Sequence, residues 1–269
     1  MQVASPQVMG VVNVTPDSFS DGGRYLDHAV ALAHARALVE QGAAWVDVGG
    51  ESTRPGAEPV PLDEELRRVL PVVEALAAEG VAVSIDTRSA EVARRAVAAG
   101  ARMVNDVSAS LAEVATELGV PYVAMHMLGD PRTMQDEPSY DDVVADVTHF
   151  LVDRAEAARA AGVGEVWIDP GIGFGKTLVH NLDLLANLDV LVATGFPVLV
   201  GTSRKTMLGT LARRADPGGG VPPPSDRLEG SVATAVWAVL RGASMVRVHD
   251  VAATVRAVRA ASSVTTVAV

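Results

Sequence analysis

Eight times along its 269 residues the chain alternates a short, β-branched apolar run with an alanine-rich amphipathic stretch. Short apolar runs are the sequence form of buried parallel strands, and apolar residues at 3.6-residue spacing mark the covering helices. The runs predict strands at Val8–Asn13, Ala44–Val48, Val81–Asp86, Met103–Asp106, Tyr122–His126, Glu165–Asp169, Val198–Gly201 and Met245–His249. The amphipathic stretches predict helices at Asp27–Gln41, Leu62–Glu79, Ala90–Ala99, Leu111–Leu118, Asp141–Ala161, Asn181–Ala193, Glu229–Arg241 and Ala252–Ala261. Eight such units match an α/β fold made of a single (β/α)8 TIM barrel, which typically takes about 250 residues. An open doubly wound sheet is the alternative, but it usually has fewer strands and one dominant glycine-rich phosphate loop. The whole chain, 1–269, reads as one barrel domain with a Gly/Pro-rich loop insertion at 216–225, reading DPGGGVPPPS, expected to be flexible.

The two ends of the strands differ. Helices are followed by Gly42, Gly80, Gly100, Gly119, Gly162, Gly195 and Gly242, each suited to a left-handed turn into the next strand. The carboxyl ends instead carry Asn13, Asp47, Asp86, Asn105, His126, Asp169, Ser203 with Lys205, and Arg247 with His249. In a barrel that end is where a site is built. Side-chain alternation puts Asp86 on one face with Ser84, and Arg247 with Met245 and His249. Gly201, Ser203 and Lys205 share a face if the seventh strand runs that far.

Charge and composition narrow the function classes. A net charge of −11 argues against nucleic acid, which needs a basic surface. No window approaches the roughly 18 uninterrupted apolar residues of a membrane span, and Met1–Met9 do not resemble a signal peptide. Without cysteine there is neither disulfide nor thiolate metal site, so the cytoplasm is the expected location. Of 22 basic residues only Lys176 and Lys205 are lysines. Such a bias hints at places needing a compact ammonium, although chance is the favoured reading for Lys176.

The rim groups suggest chemistry. Asp169-Pro-Gly-Ile-Gly-Phe-Gly-Lys-Thr177 has neither the P-loop spacing nor the dinucleotide spacing, so it reads as a rim loop anchored by Asp169. Asp86, Asn105, Asp169 and Lys205 together suit a flat heterocycle with alternating donors and acceptors, a pterin or a purine. Asp86, Asn105 and Asp169, each alone, read equally well as helix caps or loop anchors. Arg247 and His249, with Ser52, Thr53 and Arg54 in the second loop, suit a phosphate clamp. Asn13 offers one oxygen to a hydrated Mg2+, an ion that takes few protein ligands beside substrate phosphates. His126 fits the mouth or the core, and Met125 the core.

The motifs are also familiar. Met9–Gly23, reading MGVVNVTPDSFSDGG, and Asp47–Gly56, reading DVGGESTRPG, resemble the first two signatures of the dihydropteroate synthase family. Ser84–Thr87, Val104–Asp106, Met125–Met127, Asp169–Lys176, Ser203–Lys205 and Arg247–Asp250 follow in that family's order, so the resemblance covers nearly the whole chain. It implies condensation of 6-hydroxymethyl-7,8-dihydropterin diphosphate with 4-aminobenzoate, with diphosphate released, in a Mg2+-dependent homodimer. It implies a pterin held by Asp86, Asn105, Asp169 and Lys205 with Met125, Gly201 and Phe174, with Asp86 and Lys205 catalytic. Diphosphate would meet Asn13, Ser52, Arg54, Arg247 and His249, with Asn13 on the metal. The 4-aminobenzoate pocket would draw on Phe19, Thr53, Pro55, Ser203 and Lys205. The insertion at 216–225 lengthens a loop that is often shorter in the family. A pterin-binding methyltransferase domain is the nearest rival, but it has no use for the diphosphate clamp. A catalytically dead binding paralogue is disfavoured because Asn13, Asp86 and Lys205 are all present.

Overall fold

The computed structural model describes residues 6–15, 28–52, 56–216, 218 and 220–267, with side chains to 264. Its strands are β1 (Gln7–Asn13), β2 (Trp45–Gly49), β3 (Val83–Asp86), β4 (Met103–Asp106), β5 (Tyr122–Met125), β6 (Val166–Asp169), β7 (Leu199–Val200) and β8 (Met245–Val248). All pair in parallel in the order β6-β5-β4-β3-β2-β1-β8-β7. A bridge between Ile168 and Val198, with the Ile168 N–H donating to Pro197 O at 3.0 Å, joins the two ends into a (β/α)8 barrel.

The outer ring consists of α1 (His28–Glu40), α2 (Leu62–Ala78), α3 (Ala90–Ala98), α4 (Ala112–Leu118), α5 (Val143–Ala161), α6 (Leu178–Ala186), α7 (Leu188–Val192), α8 (Thr206–Ala215), α9 (Leu228–Leu240) and α10 (Val251–Val267). Local chemistry starts several of them. Asp142 Oδ1 accepts the Val144 and Ala145 N–H groups at 3.0 Å each, and Thr177 forms a capping box with His180. A cap of this kind contributes about 1 kcal/mol. The seven glycines expected after helices all have positive φ. At Gly100 a Cβ would also lie 2.4 Å from Ala77 Cβ, so any side chain is excluded there.

Three expectations need correction. The seventh strand ends at Val200, not Gly201, because the chain turns at once and Lys205 N donates to Thr202 O at 3.2 Å. The predicted helix Asn181–Ala193 is two helices, α6 and α7, that break at Asn187, whose Nδ2 donates to Asp183 O at 2.9 Å. Helix α8 is an addition to the eight predicted helices; it buries only Met207, Leu208 and Gly209, too short an apolar stripe to stand out. Within the insertion, Pro224–Asp226 form a single 3-10 turn.

Strand alternation yields two separate cores. Outward residues such as Val46, Val83, Ile85, Val104 and Ile168 pack under the helices. Inward residues Met9, Met103, Val123, Trp167, Leu199 and Met245, with Trp45 against them, form an apolar plug in the barrel. Burying a side chain of this size contributes about 1.5–3 kcal/mol. No helix among the described residues is long and apolar enough to cross a membrane.

Candidate active site

Above the plug the inward positions turn polar. Asp47, Asn105, Asp169 and Arg247 each stand two residues beyond an apolar side chain of the plug, on β2, β4, β6 and β8, and Asp86 on β3 is in register with Asn105. Arg247 ties two of them together: its Nε donates to Asp47 Oδ2 and its Nη2 to Asp86 Oδ2, both at 2.6 Å. Asn105 Nδ2 adds a bond to the same Asp47 oxygen at 3.1 Å. Asp47 is wholly buried and its Oδ1 has no partner among the described residues, so the cluster retains acceptor capacity. Asp47 had been noted only as a rim residue, although its alternation with Trp45 points it inward as surely as Ser84 points Asp86.

Asp169 ends β6, and its Oδ1 accepts the Gly171 N–H at 2.7 Å. Lys205 reaches across from the turn after β7; its Nζ donates to Ile172 O and lies 4.7 Å from the centre of the Phe174 ring. Ser203, in the same turn, faces β8 instead: its Oγ accepts the His249 N–H at 3.1 Å and lies 3.0 Å from His249 Nδ1. Met125 is buried and in register with Asp169, and Gly201 leaves room beside Arg247 Cβ and Lys205 Nζ. Asn13 is half-buried at the end of β1, on the face of Met9. Ser52 lies beyond β2, whereas Phe19, Thr53, Arg54 and Pro55 lie outside the described residues.

Lys176 departs from its sequence reading, and the choice left open for His126 closes. Lys176 is no accident of composition: it is buried, and Nζ contacts His126 Nδ1 at 2.9 Å and donates to Phe174 O at 3.0 Å and Gly171 O at 3.1 Å. It knits the β6 loop from inside, and only a compact donor fits. His126 is not a mouth residue. It follows Met125 on the outer face, against Phe150 with ring centres 4.9 Å apart.

Three carboxyl groups thus face two cations in a largely dry space. Burial raises the Asp86 carboxyl above the ordinary range, against the pull of Arg247 and with repulsion from Asp47 adding to it. Burial raises Asp169 too, opposed by Lys205. Lys205 is pushed down to about 8 by burial, opposed by Asp169. Burial also lowers His126 to about 3, helped by the charge on Lys176. Such a mouth favours a neutral ligand rich in both donors and acceptors.

A family model described as pterin binding enzyme matches residues 9–249. The dihydropteroate synthase of Mycobacterium leprae (strain TN) is 51% identical over 267 residues, covering 96% of this chain and 93% of its own length. That of Escherichia coli (strain K12) is 46% identical over 266 residues, covering 96% and 92%. The chain belongs to the dihydropteroate synthase family. A solved dihydropteroate synthase from Xanthomonas albilineans, with 4-aminobenzoic acid, superposes with a TM-score of 0.89 at 49% identity, covering 98% of this chain and 95% of that one. The position of the polar mouth fits membership of the dihydropteroate synthases, since barrel enzymes work at the carboxyl ends of their strands.

Proposed function

We propose that this chain condenses 6-hydroxymethyl-7,8-dihydropterin diphosphate with 4-aminobenzoate, giving 7,8-dihydropteroate and diphosphate, as a cytoplasmic homodimer. The observation that carries the reading is the joined cluster of Asp47, Asp86, Asn105 and Arg247, with Asp169 and Lys205 opposite, above an apolar floor. A pterin offers an amino group and ring N–H to carboxylates, and ring nitrogen and carbonyl to an ammonium or amide. Asp86, Asn105, Asp169 and Lys205 would hold it, with Met125, Gly201 and Phe174 around its faces. Arg247 and His249, with Asn13, Ser52 and Arg54, would take the diphosphate; Phe19, Thr53, Pro55, Ser203 and Lys205 would border 4-aminobenzoate.

Among the described residues no group of three histidines or carboxylates could hold a metal ion. The half-buried Asn13 supplies one hard amide oxygen, which suits Mg2+ bound mainly through substrate phosphates and water. When bound, Mg2+ would neutralise charge on the leaving oxygens.

The chain's own residues account for the rest of the chemistry. The bond between the pterin methylene and the diphosphate oxygen breaks, and its electron pair leaves with diphosphate. Arg247 meets that charge through Nη1, which lies outside its bonds to Asp47 and Asp86. The cation left on the pterin is delocalised, and Asp86 stabilises it. The aromatic amine then forms the new C–N bond and releases a proton. No covalent enzyme intermediate is required. The test is diphosphate release with both substrates and with each alone. Release that requires both supports the proposal; none would favour a binding paralogue, and methyl transfer from a methylated pterin would favour the rival domain.

A further inference from the structure

Arg204 has φ of 61°, and among the described non-glycine residues only Ala109 and Glu137 share a positive φ. A long side chain is disfavoured in that conformation, and it persists only where the surroundings over-determine it. Here the backbone N–H, the carbonyl and two guanidinium nitrogens are all held. Its N–H donates to Ser231 Oγ at 3.0 Å, and its carbonyl accepts from Arg227 Nη1 at 2.9 Å. Its guanidinium forks onto Asp250, with Nη2 to Oδ1 at 2.7 Å and Nε to Oδ2 at 3.1 Å. The anchors are themselves linked: Ser231 Oγ donates to Arg227 O at 2.6 Å, and Arg227 Nε donates to Pro222 O at 3.0 Å. The 216–225 insertion, the start of α9 and the start of α10 therefore converge on one residue.

The strain sits between the two residues of this turn that face the mouth. Ser203 contacts His249 beyond β8, while Lys205 contacts Ile172 and Phe174 beyond β6. A straight strand would aim both the same way. We infer that Arg204 is a positioning residue, clamped by Ser231, Arg227 and Asp250 so that Ser203 and Lys205 reach opposite sides of the mouth. The inference rests on the synthase reading for its consequence in turnover, but the geometry it asserts can be measured without turnover.

Gly209 supplies a remote handle. It lies in α8, and a Cβ there would sit 2.9 Å from Arg227 Nε and 3.0 Å from its Cζ. Gly209→Ala improves helix propensity while pushing the Arg227 guanidinium off the Arg204 carbonyl. Arg204→Ala removes the fork and keeps the strain, whereas Arg204→Gly removes the fork and relieves the strain.

The experiment combines steady-state kinetics with Lys side-chain NMR, melting temperature being followed in parallel. With only two lysines in the chain, ¹³Cε-lysine labelling gives one signal each for Lys176 and Lys205. Lys205 responds to Asp169, Arg247 and Asp86 around it, so its titration reports whether it still sits among them. Expected are a fall in kcat of about tenfold or more for Arg204→Ala, part of it recovered in Arg204→Gly, and a fall of a few-fold for Gly209→Ala without a lower melting temperature. In each the Lys205 midpoint moves towards an exposed lysine's while that of Lys176 stays. A lowered melting temperature with unchanged kcat and unchanged Lys205 midpoint would overturn the inference. If the wild type itself gives no turnover, the synthase reading fails, and the NMR arm still decides the clamp.

Discussion

Asp47, Asp86, Asn105 and Arg247 stand on β2, β3, β4 and β8, whereas Lys176, Ser203 and Lys205 stand beyond the ends of β6 and β7. In the first half the backbone is fixed by neighbouring strands, and the side chains lock one another through Arg247. In the second half there is no ladder to lean on. A buried ammonium holds one loop by its carbonyls, and a left-handed arginine holds the other. The strand half is therefore rigid by topology and the loop half by particular polar contacts, which a single substitution can release.

Arg247→Met should have the largest effect. It leaves Asp47 and Asp86 facing each other without a counter-charge, and removing one partner of a buried pair costs about 3–5 kcal/mol. Urea unfolding and diphosphate release should both show the loss. A variant of near wild-type stability would mean that the strands alone hold the mouth.

Next comes Lys176→Met, which strips the donor from His126, Gly171 O and Phe174 O. The expected destabilisation is about 2–3 kcal/mol, the cost of buried groups left unpaired. Burial pushes Lys176 down to about 7, below the ordinary lysine value it has when unfolded. Between those values the unfolded chain binds more protons, so wild-type stability from this residue rises with pH. The gap between wild type and variant should thus widen above pH 7. Paired melting curves across that range check the sign, and a narrowing gap would contradict it.

Lys205→Arg should have a smaller effect, lowering turnover by about tenfold, or roughly 1.4 kcal/mol. A guanidinium is wider than the ammonium that now fits over Phe174. With Lys205 pushed down to about 8, the wild type should lose activity above that pH as the amine loses its proton. The arginine variant should not show that limb. Rate profiles of the two proteins make the comparison, and an identical alkaline fall in both would assign the limb elsewhere.

The same division explains what the sequence could reveal. Asp86 and Arg247 were legible because period-two alternation from Ser84 and Met245 aims them inward, and Asn105 follows from its strand end. Asp47 obeys the same rule and was under-read, since a carboxylate at a strand end reads equally well as a loop anchor. Lys205 is legible from composition and family motif, but the seventh strand that would set its face stops at Val200, and the turn through Arg204 sets it instead. Lys176 was missed as a structural group because its partners are mostly main-chain carbonyls, and no residue pattern announces those.

The chain carries two side-chain amines, and neither is on the open surface: Lys176 is buried and Lys205 half-buried at the mouth. Arginine supplies nearly all other positive charge, and its guanidinium stays protonated and does not acylate under mild conditions. An acylating reagent thus meets no exposed lysine, and Lys205, with its lowered proton affinity, presents free amine near pH 8. Acylation of lysine becomes a footprint of the barrel mouth itself, blocked when a ligand covers Lys205 and otherwise silent over the protein's outer face.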